Sequence, residues 1–261
     1  MGIFNFLKKK EEAIAPQEGG KASQTKEPYL GDLSKTGVLF ELTQVAPEQR
    51  DAAWVDAFLG NIAQASFRCG EPQIITGPDG FPYFQLFLPE PNKSFQCYVI
   101  DQMKDDFLLD AGYGVVINPS PTHADWVLTY GDILNYHLNK TFYTDTETPF
   151  SKKVMDETIA ENEQIMIGQP SEAILPLQTR KVIKEFLELN GVKQPKVLLM
   201  VREQAGGQGT TQDIVFNITP KDFSDEETYR GVMQTIGWFL PRHYSFVGMN
   251  EQGVGEGFME L

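Results

Sequence analysis

Residues 123–137 hold the side chains best suited to chemistry that stand near one another: His123, Asp125 and His137. A His-x-Asp spacing puts an imidazole and a carboxylate on one side of an extended segment, because side chains alternate between faces there. His137 falls on the helix expected to follow. Imidazole and carboxylate are common ligands of zinc, manganese and iron. A metal-dependent hydrolase using His123, Asp125 and His137 is therefore one expectation. No HExxH-type motif and no second acidic motif accompanies the three, and Pro121 places His123 in a turn, the usual setting of a solvated histidine.

Other reactive groups reduce to structural roles. Asp101, Asp105, Asp106 and Asp110 form an acidic run. It lacks the alternating oxygen ligands and turn glycine of a calcium loop, and so reads as a solvated helix face. Ala205-Gly-Gly-Gln-Gly-Thr-Thr211 is glycine-rich but lacks the Lys-Ser/Thr end of a phosphate-binding loop. It also joins two expected strands rather than a strand and a helix, so it reads as a hairpin loop. Cys69 has Arg68 beside it but no base, and reads as a buried thiol near a helix end. No Gly-x-Ser-x-Gly elbow is present. Trp54, Trp126 and Trp238 fall in apolar phase and read as core. Weighed in this way, the sequence assigns no catalytic residue, no cofactor and no metal.

The elements that must position these residues come from a chain of 261 residues, 41% hydrophobic with 18 Phe, which is material for two cores. The formal charge is −14. Such a surface repels phosphate backbones, which disfavours nucleic acid as a partner, and it steers basic proteins inward. Only Cys69 and Cys97 are present, the usage of a reducing compartment. No apolar run approaches the ~18 residues of a membrane span. Met1–Lys10 does not have the order of a signal peptide. Ile3, Phe4, Phe6 and Leu7 followed by Lys8, Lys9 and Lys10 suit either a marginal membrane-surface contact or a loosely docked terminus.

Residues 1–35 read as a flexible segment and linker. Residues 36–145 read as an N-terminal domain of mixed α+β type. Within it, Trp54, Val55, Phe58, Leu59, Ile62 and Phe67 recur at helical spacing, with Gly70 as the stop. Gln73–Ile75 and Pro82–Leu88 flank the tight turn Gly77-Pro-Asp-Gly80 as a hairpin. A strand over Ser94–Ile100, a short helix over 101–111 stopped by Gly112, strands Val115–Ile117 and Asp125–Thr129, and a helix Gly131–Leu138 follow. A connector covers 146–163. Residues 164–250 then alternate strand Gln164–Gly168, a helix opened by Pro176, strands Lys196–Val201 and Asp213–Ile218, a helix with a Ser224/Glu227 capping box, and strand His243–Gly248. That βαββαβ order implies a ferredoxin-like, split βαβ module. Residues 251–261, with Gly253, Gly255 and Gly257, read as a loose tail. No internal repeat relates the halves.

Ile167-Gly-Gln-Pro170 ahead of a helix, the strand Val197–Val201, and Gly237-Trp-Phe-Leu-Pro241 leading into the last strand resemble the C-terminal domain of SseB, the enhanced serine sensitivity protein family of bacteria. The resemblance covers about 163–250 and implies a small intracellular bacterial module with no catalytic residues to carry over. The expectation is a two-domain α+β protein of the bacterial cytoplasm that is non-enzymatic and binds another protein or serves as an adaptor. One version of it is an acidic inhibitor or immunity protein.

Overall fold

The structure is a computed structural model, and it describes residues 28–150, 165–203, 209–254 and 257–261. Among these residues the chain is α+β, with six helices and two mixed sheets. Contacts divide it into two units between Ile133 and Leu134. The N-terminal residues and 151–164, with their linker, membrane-contact and connector expectations, lie outside the described residues, as does most of the 205–211 loop.

The N-terminal unit opens with helix α1 (Leu33–Thr43), which begins inside the expected linker because the Asp32 carboxylate accepts from the Ser34 and Lys35 amides. Helix α2 (Ala52–Ile62) is capped in the same way by Asp51, which accepts from the Trp54 amide at 2.9 Å. Trp54, Phe58 and Ile62 form its buried stripe. Phe67 does not extend that stripe. The chain has already turned to enter strand β1 (Arg68–Thr76), so Gly70 and Cys69 are strand residues rather than a helix end. The expected hairpin is present: β1 pairs antiparallel with β2 (Pro82–Phe87), and the Gly77 amide reaches the Phe81 carbonyl at 2.8 Å.

No strand forms over Ser94–Ile100. Phe67 and Tyr98 exchange one pair of backbone bonds, and Ile100 already starts the next helix. That helix, α3 (residues 100–111), widens by a turn at Lys104–Leu108 and ends at Gly112, whose φ of 75° is the left-handed cap expected from sequence. Its acidic run is more than a solvated face. Lys104 is buried at 3% exposure, and its ammonium meets Asp101 at 3.2 Å and Asp105 at 2.6 Å. The Tyr29 hydroxyl donates to Asp106 at 2.5 Å, so three of the four acids neutralise or accept from groups that need them. Strand β3 (Gly114–Ile117) returns parallel to β2, and β4 (Trp126–Leu128) pairs antiparallel with β3. Helix α4 (Tyr130–Asn139) follows.

The C-terminal unit has the expected element order: β5 (Ile165–Gly168), α5 (Leu177–Leu189), β6 (Lys196–Glu203), β7 (Thr210–Phe216), α6 (Glu226–Phe239) and β8 (Phe246–Gly248). Its sheet does not have the split βαβ arrangement. The strands lie in chain order β5-β6-β7-β8, and β7 and β8 are direct parallel neighbours with no strand inserted between them. The capping box at α6 also shifts by one residue. Asp225 is the cap, accepting from the Thr228 amide at 2.7 Å, and it outcompetes Ser224, which bonds to Asp225 itself.

The tail is not loose. Its last residues form β9 (Met259–Glu260), which pairs with Lys196 and Val197 on the β6 edge that β5 occupies further along. Met249, Val254 and Phe258 pack on Leu198, Met200 and Val215. The Gly237 position on α6 lies against Phe246, so α6 covers the opposite side of the sheet. The tail therefore seals the face that the helices leave bare.

A repeat invisible in the sequence emerges from the pairing. In the N-terminal unit α2, an antiparallel hairpin (β1, β2), α3 and a strand parallel to the second hairpin strand (β3) follow one another. The C-terminal unit repeats this with α5, β6, β7, α6 and β8. Among the described residues no helix is long and apolar enough to cross a membrane.

Because the tail covers apolar residues that are otherwise bare, deleting residues 250–261 should lower unfolding stability by roughly 3 kcal/mol, the burial of a Phe, a Val and part of a Met. Urea titration followed by tryptophan fluorescence checks it, and unchanged midpoints would mean that the tail seals nothing.

Candidate functional site

The concave site of the N-terminal unit lies on the sheet face away from the helices. The helix side is fixed by Phe84 against Phe107 of α3 and by Trp126 against Trp54 and Phe58 of α2. Strand alternation then sends Ile75, Tyr83, Val116 and Val127 to the other side. The register agrees, with Ile75 opposite Tyr83 and Val116 opposite Val127. These four make the floor of a hollow of about 430 Å³, walled by Pro78 from the hairpin turn and by Pro119, Pro121 and His123 from the turn before β4. Val127 is 43% exposed although its chemistry suits a core.

The polar groups around the hollow are already engaged. The Asp79 carboxylate accepts from the Tyr83 hydroxyl at 2.5 Å and from the Phe81 amide at 3.1 Å. The Ser120 hydroxyl donates to the His123 carbonyl at 2.7 Å, and Ser120 and Thr122 oxygens each lie 3.1 Å from His123 Nδ1. Three prolines stiffen both turns. The result is an apolar basin with a rigid, internally bonded rim, a shape that gains affinity by removing apolar surface from water.

Of the residues picked out for metal chemistry, His123 stands on the rim of the hollow, while Asp125 and His137 lie outside its lining. Strand β4 starts at Trp126, so His123 and Asp125 precede it in the turn and do not share a strand face. Asp125 is half-buried and pairs with the Arg50 guanidinium at 2.7 Å, while its second oxygen accepts from the Asn118 amide at 2.7 Å. Arg50 also stacks over Trp54, 4.5 Å from the ring centre. Asp125 is thereby a joint between α2, the end of β3 and the start of β4. His137 is half-buried on α4. Among the described residues no three His, Cys, Asp or Glu side chains gather closely enough to hold a metal ion. Cys69 and Cys97 are free and half-buried. The Tyr98 phenol is pushed up to about 12, first by burial and then by its contact with the Cys69 thiol.

Sequence reasoning missed a buried charged group in the C-terminal unit. Arg202 on β6 is 7% exposed and Asp213 on β7 is 2% exposed, and they pair at 2.9 Å on the face that the tail seals further along. The Ser245 hydroxyl donates to the second Asp213 oxygen. A strand period that places Arg202 in phase with Leu198 and Met200 was the available signal. Nearby, burial pushes the Tyr244 phenol, which donates to the Ile174 carbonyl, up to about 12. Burial also lowers the affinity of the half-buried His243 for a proton.

Searches against protein-family models, curated proteins and solved structures returned no match to this chain.

A buried ion pair is costly to break and cheap to replace whole. Asp213→Ala should therefore destabilise the fold by about 3–5 kcal/mol, while Arg202→Met combined with Asp213→Leu should stay within about 1–2 kcal/mol of the parent. A double-mutant cycle by chemical denaturation measures both. A double variant as unstable as the single one would show that the site needs its charges for more than pairing.

Proposed function

We propose that the chain is a non-enzymatic protein-binding module or adaptor of the bacterial cytoplasm, and that it engages a partner through the hollow on the bare face of its N-terminal sheet. The carrying observation is the 43% exposure of Val127 in an apolar basin whose rim polar groups are bonded to one another. Catalysis depends on polar groups held ready for a substrate, whereas here the polar atoms shape a surface and the apolar atoms face outward. Exposed apolar ground rimmed by polar residues is the usual mark of an interaction site.

The formal charge of −14 favours a basic partner, drawn in electrostatically before apolar contacts form. An acidic inhibitor or immunity protein that neutralises a basic toxin is one form this takes. The likeness of the C-terminal half to the SseB C-terminal domain supports the same class. Its carriers are working parts of the unit: Pro170 accepts a hydrogen bond from the buried Arg180 guanidinium, and Leu240 ends α6 before β8.

A photocrosslinking amino acid placed at the exposed Thr122, on the rim, tests the reading in cells. The expected result is one discrete product with the mass of this chain plus a single partner, reduced at least tenfold by Val127→Arg. Products confined to this chain's own mass or its multiples, or a pattern that Val127→Arg leaves intact, would remove the proposal.

A further inference from the structure

Strand β5 (Ile165–Gly168) borders the C-terminal sheet, and among the described residues no strand lies beyond it. Which of its backbone groups point outward follows from the pairing. The Asn217 amide donates to the Lys196 carbonyl, and consecutive strand residues turn their N–H and C=O to alternate sides. Lys196, Leu198, Met200 and Arg202 of β6 therefore bond toward β7, and Val197, Leu199 and Val201 bond the other way. The Leu261 amide on the Pro195 carbonyl has the same parity. Met166 and Gly168, opposite Val201 and Leu199, exchange hydrogen bonds with β6. Ile165 and Ile167 direct their N–H and C=O away from the sheet.

This border is unguarded. Met166 is 54% exposed and Ile167 is 39% exposed, one on each face of the sheet. Edge strands are usually protected from other chains by lysine, proline, a bulge or shortness. Ile165-Met-Ile-Gly168 has no charge and no proline, and it keeps regular register with β6. The space over Gly168 is open. Other edges of the molecule are protected. Strand β4 is three residues long, with the Asp125 carbonyl taken by Arg50 and the Thr129 amide by Asp132. Strand β1 carries Pro72 and a bulge between Cys69 and Ile74.

The open strand is complementary to itself. A second copy laid antiparallel about a two-fold axis at Met166 sets Ile165 opposite Ile167 of that copy, and Ile167 opposite its Ile165. These are the residues whose backbone groups point outward, so every outward donor meets an acceptor. Ile165-Met-Ile167 also reads alike in both directions, so isoleucine meets isoleucine on the tail side and methionine meets methionine on the helix side. No acidic residue in the strand calls for a basic partner. The contact is small beside the ~1,600 Å² of a standard interface, and two chains of net charge −14 repel one another. The pairing is therefore weak, with a dissociation constant on the order of tens of micromolar.

We propose that β5 is the contact through which two copies of this chain form a symmetric dimer, their C-terminal sheets joined edge to edge. The proposal does not rest on the reading of the N-terminal hollow.

Sedimentation velocity of the full chain from about 1 to 300 µM tests it. The expected result is a reversible monomer–dimer equilibrium. It should tighten at least about threefold between 0.15 M and 1 M salt, because the screening length falls from about 8 Å to about 3 Å and the copies repel less. Met166→Lys or Met166→Glu alone should weaken the dimer at least about tenfold, since identical charges then face one another across the axis. An equimolar mixture of the two variants should dimerise within about threefold of the parent, and urea titration confirms that each is folded. A chain that stays monomeric at every concentration would overturn the proposal. So would a dimer that loosens in salt, a dimer that the single variants leave intact, or a mixture that stays monomeric. A photocrosslinking amino acid in place of Met166 that joins only a protein of different mass in cells would assign the edge to a foreign strand and overturn the self-pairing.

Discussion

A β-sheet built from Val, Ile, Leu and Phe has two apolar faces, and helices that follow one handedness of crossover cover only one of them. That constraint governs this molecule twice. In each unit a hairpin feeds a helix and the helix feeds a strand parallel to its predecessor, which commits the helices to one side. The C-terminal unit meets the remaining demand with its own tail, and it does so economically: β9 closes the exposed backbone edge of β6 while Phe258 and Val254 cover the side chains. One segment thus satisfies hydrogen bonds and buries apolar surface together. The N-terminal unit shields part of its outer face with the two proline turns and with Gln85, whose amide donates to the Pro72 carbonyl, and leaves the rest as a basin.

The charges inside the fold are closed sets. Lys104 sits between Asp101 and Asp105, Arg202 is held by Asp213, and Arg50 is shared between Asp125, the Val45 carbonyl and the Trp54 ring. The Arg202–Asp213 and Arg50–Asp125 pairs tie separate elements together, whereas Lys104 is held by two acids of its own helix; each set would be expensive to open because a buried charge without its partner loses its solvation with nothing in return. Such sets fix register rather than perform chemistry. Arg202 and Asp213 lie diagonally across β6 and β7, and a slip of one residue would send both to the helix side. The same logic explains Asp125: a carboxylate that anchors β4 to α2 is spent on the fold and has little left to give a metal.

What could be read from the sequence follows from how local each cause is. The hairpin around Gly77–Gly80, the stop at Gly112, and α5 and α6 depend on neighbouring residues, and all of them form. Failures fall where a distant partner decides. Ser94–Ile100 has β-rich composition, but only Tyr98 finds a strand neighbour, so no strand propagates. Phe67 kept helical phase on paper, yet pairing with Tyr98 drew it into extended backbone. Gly253–Gly257 looked loose because glycine lowers local order, while the gain from covering Leu198 and Met200 comes from the other end of the unit. Strand order was the least accessible. βαββαβ is compatible with several sheets, and only the pairing of β7 with β8 removes the interleaved one. The hollow was invisible for the same reason, since its floor comes from four strands and its walls from two turns.

The contrast between the two outer faces also bears on why a bare apolar basin persists. An exposed valine beside Val116 and Ile75 weakens solubility and invites association, a cost usually met with charges or prolines at the margin. This basin has the prolines but keeps its charge, Asp79, turned into the Tyr83 hydroxyl and the Phe81 amide. A margin designed only to repel neighbours would point that carboxylate outward. Instead the Asp79 carboxylate and the Ser120 hydroxyl are held by partners within the rim itself, while Val127 on the floor stays exposed. In the C-terminal unit the corresponding face is closed by Val254, Phe258 and the strand β9, so the two sheets differ in what lies over them rather than in how they are built.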